Sequence, residues 1–126
     1  MKLFLTAAAI SGALAVLLGA FGAHLLKQMI SADMLDVYKT GVQYQFYHTF
    51  ALLGVGMLIN LNRTKILKWS GYLFIAGIII FSGFLYLLAL TGIKTLGMIV
   101  PIGGISFVAG WICLFVHFLR IKNEGS

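Results

Sequence analysis

Acidic side chains are almost missing from this chain: Asp33, Asp36 and Glu124 are the only three in 126 residues. All three lie in polar segments. No carboxylate pair therefore stands inside an apolar stretch, and a proton path through such a stretch would have to use histidine. Cysteine occurs once, as Cys113 within an apolar run. A single thiol excludes an intrachain disulfide, a CxxC redox pair and a thiolate zinc site, and Cys113 reads as a small core residue. Charge of either sign is scarce, at 10% of the chain against about 25% in soluble domains. There is no Ser-His-Asp set and no phosphate-binding glycine loop. These absences point away from an enzyme and call for neither a metal nor a cofactor.

What the chain has instead is apolar surface. It is 61% hydrophobic, more than a soluble domain of this size could bury. The apolar residues form four runs free of Asp, Glu, Lys and Arg: Leu3 to Leu26, Val42 to Leu61, Trp69 to Leu90 and Leu96 to Leu119. Each reaches the roughly 20 residues that a helix needs to cross a ~30 Å hydrocarbon core. Backbone groups in lipid must be paired internally, which leaves helices or a closed barrel. Barrel strands would alternate polar and apolar residues; these runs do not. The expected fold is all-α: a single integral membrane domain over residues 1–126, built as a four-helix bundle of two antiparallel hairpins.

The first run follows Lys2 and passes through Ala13-Leu14-Ala15, which resembles a secretory signal with its cleavage site. It continues apolar to Leu26, so it reads as an uncleaved first span. The nine Lys and Arg sit between the runs, not on one polar face, so nucleic acid is not an expected partner; the lipid bilayer is. Lys2, Arg63, Lys65, Lys68, Arg120 and Lys122 fall on one side of a four-span chain. Only Lys27, Lys39 and Lys94 fall on the other, with Asp33 and Asp36 beside them. The positive-inside rule then places both termini in the cytoplasm. Between spans one and two, Ser31 is a fair helix cap, and Met34, Tyr38 and Val42 recur at a helical interval. A short interfacial helix is expected there, with a bend near Gly41.

Small residues suggest how the spans associate. Ala15, Gly19 and Ala23 recur every fourth position in the first span, as do Ser106 and Gly110 in the fourth. Such stripes let backbones approach within a protomer or between protomers of a homo-oligomer. Pro101, followed by Gly103 and Gly104, is expected to kink the fourth span. A polar group gathers at outer-half depth: His24, Gln43, Tyr44, Gln45, Tyr47 and His48, with Ser82 and Tyr86 from the third span. Three readings compete for it. It is a structural hydrogen-bond network, or a site for a small ligand or proton, or a pair of haem ligands in His24 and His48. The first is favoured, and with it a non-enzymatic structural or accessory role.

Particular strings carry a family resemblance. They are Gly19-Ala20-Phe21-Gly22-Ala23-His24, Thr40-Gly41-Val42-Gln43-Tyr44-Gln45-Phe46-Tyr47-His48, Phe81-Ser82-Gly83, Leu85-Tyr86-Leu87-Leu88-Ala89-Leu90-Thr91-Gly92, Pro101-Ile102-Gly103-Gly104 and Gly110-Trp111. Together they resemble the YgdD/YwdK-type family of small bacterial inner-membrane proteins, which has a distant relative among animal mitochondrial membrane proteins. The resemblance covers nearly the whole chain. It implies four spans in the cytoplasmic membrane and supplies no molecular function. It also implies that His24, Gln43, Tyr44, Tyr47, His48, Ser82, Tyr86 and Pro101 are motif positions.

Overall fold

A computed structural model describes residues 2–125, with side chains at all of these except 23 and 122–125. Ala23, the last member of the first small-residue stripe, and Lys122 therefore have side chains outside the described set. The described residues are almost entirely helical and contain no strand. Helix α1 spans Lys2–Leu26, α2 Ala32–Leu61, α3 Lys65–Gly77, α4 Gly83–Thr91 and α5 Val100–Gly125. A π turn, Ile78–Ser82, joins α3 to α4, and a 3-10 turn, Lys94–Met98, precedes α5. The result is four long rods: α1, α2, the α3–π–α4 composite and α5. Three stretches are long and apolar enough to cross a membrane: Lys2–Leu26, Lys65–Thr91 and Lys94–Ile121. Helix α2 has 30 residues, but Asp33, Asp36, Lys39, Gln43, Gln45 and His48 dilute its apolar character.

The rod ends follow local chemistry. The backbone N–H groups of Met29 and Ile30 both donate to Leu26 O at 3.0 Å, which closes α1. Ser31 then caps α2: its side chain accepts from Met34 N at 3.2 Å, with Asp33 in the first turn where the helix dipole favours an anion. Thr64 caps α3 in the same way, accepting from Leu67 N at 3.3 Å. Gly92 ends α4 at φ 71°, a left-handed conformation that glycine adopts without steric cost, and its N–H donates to Leu88 O.

Two expectations require correction. No separate interfacial helix lies between the first two spans; the segment expected to form one is the beginning of α2, which continues through Gly41. Gly41 makes room for a neighbour: a Cβ there would lie 2.7 Å from Tyr86 Cε1. Pro101 does not kink a span either. It is the second residue of α5, where a missing N–H forfeits no helical bond and the fixed φ suits the first turn. Gly103 and Gly104 likewise belong to the opening of α5. A Cβ on Gly103 would collide with the Phe81 backbone, whereas one on Gly104 would meet the Phe81 ring at an ordinary 3.8 Å.

Rod pairing is antiparallel. Along α1 and α2, Leu5 meets Gly56, Ser11 meets Thr49 and Gly19 meets Val42. Along α3 and α5, Ser70 donates to Gly110 O at 2.8 Å and Ser106 donates to Leu73 O at 2.7 Å. Helix α2 also packs on α4 and on the π turn before it, where Ser82 donates to Gly41 O at 2.7 Å. Both small-residue stripes thus meet partners inside the protomer: Ala15 is fully buried and Gly19 faces Val42, while Ser106 and Gly110 face α3. One apolar core gathers Phe4, Leu52, Val55, Ile59, Leu67, Phe74 and Phe107; a smaller one holds Tyr38, Val42 and Ala89. Large apolar side chains such as Ile10, Phe50, Ile105 and Phe115 point outward, the arrangement expected when lipid is the solvent.

The glycines divide into two kinds that mutation should separate. Gly103→Val should lower thermal stability in detergent by about 1–3 kcal/mol through overpacking against Phe81. Gly54 lies within α2 and has nothing within 4 Å of a Cβ, so Gly54→Ala should raise stability by up to about 1 kcal/mol through helix propensity. Paired melting curves check both directions.

Candidate functional site

The polar residues expected to gather do not form one cluster. They separate into a buried network, a histidine held in an aromatic cage, and side chains that face outward.

The buried network ties α1, α2 and α4. Gln45 Nε2 donates to Ser11 O at 2.9 Å and to Ser11 Oγ at 3.3 Å. Tyr86 O–H donates to Gln45 Oε1 at 2.5 Å. Ser11 Oγ lies 2.7 Å from Thr49 Oγ1. Gln45, Thr49 and Ser11 are all buried, so each bond replaces one that water cannot supply. Nearby, Tyr38 O–H donates to Leu18 O at 2.6 Å, and the Tyr38 ring covers Gly22. A cavity of about 280 Å³ lies over Ser11 and Gln45, walled otherwise by apolar side chains such as Leu14, Ile75 and Ile79.

His48 is 5% exposed and both its ring nitrogens are engaged. Trp111 Nε1 lies 3.1 Å from His48 Nε2, and His48 Nδ1 lies 2.8 Å from Tyr44 O. An indole N–H can only donate, so Nε2 must accept; the proton then sits on Nδ1 and is donated to the carbonyl. This defines a neutral imidazole of one tautomer. Phe107 stacks on it at 3.5 Å between ring centroids and 10° between planes, and Phe74 and Trp111 close two more sides. An iron could reach His48 only by displacing Trp111 or the Tyr44 carbonyl. His24 stands exposed on the last turn of α1. The haem reading finds no support in this arrangement.

The remaining expected residues fall elsewhere. Gln43 and Tyr47 are exposed on α2 and bond to each other, with Gln43 Nε2 donating to Tyr47 Oη at 2.6 Å. Ser82 is spent on the Gly41 carbonyl. Tyr44 is partly exposed and packs against Phe81, with ring centroids 4.8 Å apart. It borders an open groove of about 610 Å³ between α2 and α5, whose lining includes His48, Phe81, Gly104, Val108 and Trp111. No charged side chain lines that groove. His117, at the far end of α5, is buried with Nδ1 3.0 Å from Thr64 Oγ1, and so ties α5 to the cap of α3.

Sequence reasoning missed Ser11, Thr49 and Trp111 as members of these networks. A signal was available for two of them. Ser11 stands four residues before Ala15 and extends the same stripe, and Thr49 stands four residues after Gln45 on the same face of α2. Nothing local marked Trp111, which enters from another rod. Because the network is shared, its bonds should be coupled. A Ser11→Ala and Thr49→Val double-mutant cycle should show a coupling of about 0.6 kcal/mol, the average for such bonds in membrane helices. Gln45→Leu should cost more than either single change, since it also leaves the Tyr86 hydroxyl without its acceptor; reversible unfolding in mixed micelles measures all four.

Comparison with known proteins agrees with the membrane-suited character of the chain. Residues 18–104 match the family described as protein of unknown function DUF423. A UPF0382 membrane protein of Staphylococcus aureus is 47% identical over 98% of this chain and 100% of its own length. One of Staphylococcus saprophyticus is 41% identical over 96% of this chain and 100% of its own length. The UPF0382 inner membrane protein YgdD of Escherichia coli is 39% identical over 98% of this chain and 95% of its own length. No solved structure matches. This chain belongs to the DUF423 family, and it is a membrane protein of that family.

Proposed function

We infer that the chain is a non-enzymatic structural or accessory component of the cytoplasmic membrane, crossing it four times with both termini inside. The observation that carries this reading is the way the buried polar side chains are spent. Ser11, Gln45, Thr49, Ser70, Ser82 and Tyr86 each bond to a neighbouring rod, and His48 holds α5 through Trp111. A network committed to joining helices pins register and offers little to a reactant.

The same pattern supports α2 as a crossing helix despite its polarity. Gln45, His48 and Thr49 turn inward against other rods, so lipid does not meet them. At 1.5 Å per residue α2 is about 45 Å long, enough for its first turns, with Asp33, Asp36 and Lys39, to stand in the headgroup region. Lys2, Arg63, Lys65, Lys68 and Arg120 lie at one end of the rods, which supports a cytoplasmic placement for that end. The E. coli relative is called an inner membrane protein, in keeping with the cytoplasmic membrane. Association with a second copy or another membrane protein would have to use the outward faces, because the described members of the small-residue stripes already contact α2 and α3.

Two measurements test this. Phosphatase reporters fused after Ile30 or Ile93 should be active outside the cell, and those fused after Asn62 or the C-terminus inactive; the reverse pattern at Asn62 would remove the four-span topology. In a Cys113→Ser background, Ser82→Cys should resist a water-soluble maleimide in intact membranes. Rapid labelling would reveal an aqueous path and overturn the structural reading.

A further inference from the structure

Lys2, Arg63, Lys65, Lys68 and Arg120 are exposed at the rod end where α3 begins. The acids whose side chains are described, Asp33 and Asp36, both stand at the opposite end, in the first turns of α2. Among the described residues, no carboxylate balances the cations around the start of α3. The first turn of α3 sharpens this imbalance. It contains Lys65 and no acidic residue, although the positive end of a helix dipole favours an anion. An anion from outside the chain would satisfy the lysines and the dipole together.

At this end Lys65, Lys68, Trp69 and Tyr72 line a cleft of about 210 Å³. Their spacing of three, four and seven residues puts them on one face of α3. Lysines three apart are neighbours on a helix, close enough for both ammonium groups to reach one phosphodiester. The cleft is smaller than drug-sized sites of roughly 300–1,000 Å³, and so suits a headgroup, not a whole lipid. Its aromatic wall is fixed from behind. Phe4 of α1 is fully buried, fills the notch at Gly71 and meets the Tyr72 ring edge-on, with centroids 5.2 Å apart. Trp69 and Tyr72 are nevertheless 62% and 47% exposed, amphipathic rings of the kind that sit at headgroup level. The membrane-length stretch Lys65–Thr91 starts at this same point. The two lysines thus stand at the depth of lipid phosphates. Further along the rod, exposed Ile79 offers apolar surface to acyl chains.

We propose that the α3 cleft is a binding site for the headgroup of an anionic glycerophospholipid. Lys65 and Lys68 hold the phosphodiester, and Trp69 and Tyr72 flank the glycerol region beneath it. A zwitterionic headgroup carries its own cation beside the phosphate and gains less from the lysines. An acidic protein segment would meet the same charges, but rings at the start of a membrane-length helix favour a lipid. The site goes beyond the structural role and rests on α3 entering the membrane at Lys65. The reporter fusions read that placement and not lipid selectivity, so the two failures are told apart.

The test is native mass spectrometry of the full chain from micelles holding equimolar phosphatidylglycerol and phosphatidylcholine with matched acyl chains. One phosphatidylglycerol should be retained in preference. Lys65→Gln with Lys68→Gln should weaken its retention by roughly thirtyfold, the worth of two lysines beside an anionic headgroup. Lys65→Arg with Lys68→Arg keeps the charge and should preserve retention. Lys2→Gln with Arg120→Gln removes as much charge from the same end but leaves the cleft intact. It should weaken retention by less than about threefold, because exposed charges outside the site are screened. Trp69→Ala keeps every charge and should weaken retention by about three- to tenfold through loss of the ring. All these side chains are exposed, so each variant should melt at the temperature of the unmodified chain. Equal retention of the two lipids would overturn the site. Equal losses in the two glutamine pairs would also overturn it, since they would mean diffuse attraction to a basic surface. Displacement of the lipid by millimolar inorganic phosphate or by a polyglutamate peptide would overturn the lipid as occupant.

Discussion

An aromatic ring seated on a glycine of the next helix is the contact on which this fold depends. Tyr38 covers Gly22, Tyr86 covers Gly41, Phe4 covers Gly71, Phe107 covers Gly77 and Phe74 covers Gly110. In lipid no hydrophobic force pushes helices together, so cohesion must come from close packing and from hydrogen bonds. A ring in a glycine notch supplies the first and makes room for the second. Gly41 and Gly110 show both at once. Each receives a ring where its side chain would be, and each offers its bare carbonyl to a serine on the neighbouring rod, Ser82 and Ser70 respectively.

That constraint explains why the polar residues of α2 are tolerated. Once α1 and α4 lie close against α2, Gln45 can reach Ser11 on one side and receive Tyr86 on the other. His48 is held by α5 in a similar manner, with Trp111 fixing its tautomer and Phe107 covering its face. The inward polar face of the most polar rod is therefore covered by the others, while Gln43 and Tyr47 on its other side stay exposed. The groove beside Phe81 is the counterpart of this economy: at Gly104 the nearest side-chain atoms stand 3.8 Å from where a Cβ would be, and space remains.

The chain's helices were legible because hydropathy and length are local properties, written in runs such as Trp69 to Leu90. The Ser31 cap was legible for the same reason, since capping depends on a side chain and an amide three residues apart. Pro101 was misread because its effect depends on where the helix begins. The 3-10 turn at Lys94–Met98 moves that start to Val100 and turns a breaker into an opening residue. The close approach of Tyr86 to Gly41 was hidden for a related reason: a glycine inside a helix marks either a weak point or a close neighbour, and the linear pattern does not distinguish them.

By itself the sequence determined the solvent, the helical class and the identity of the polar residues. Periodicity shows which residues share a face, and that placed Tyr44 with His48 and exposed the Ala15–Gly19 stripe. Only the tertiary structure decided which face meets which. It divided the expected polar cluster into a buried network around Gln45, a caged His48 and an outward Gln43–Tyr47 pair. The physical reason is that hydrogen bonds between rods join residues such as Ser11 and Thr49, or His48 and Trp111. These lie far apart along the chain, and their distance is set by how closely two backbones approach.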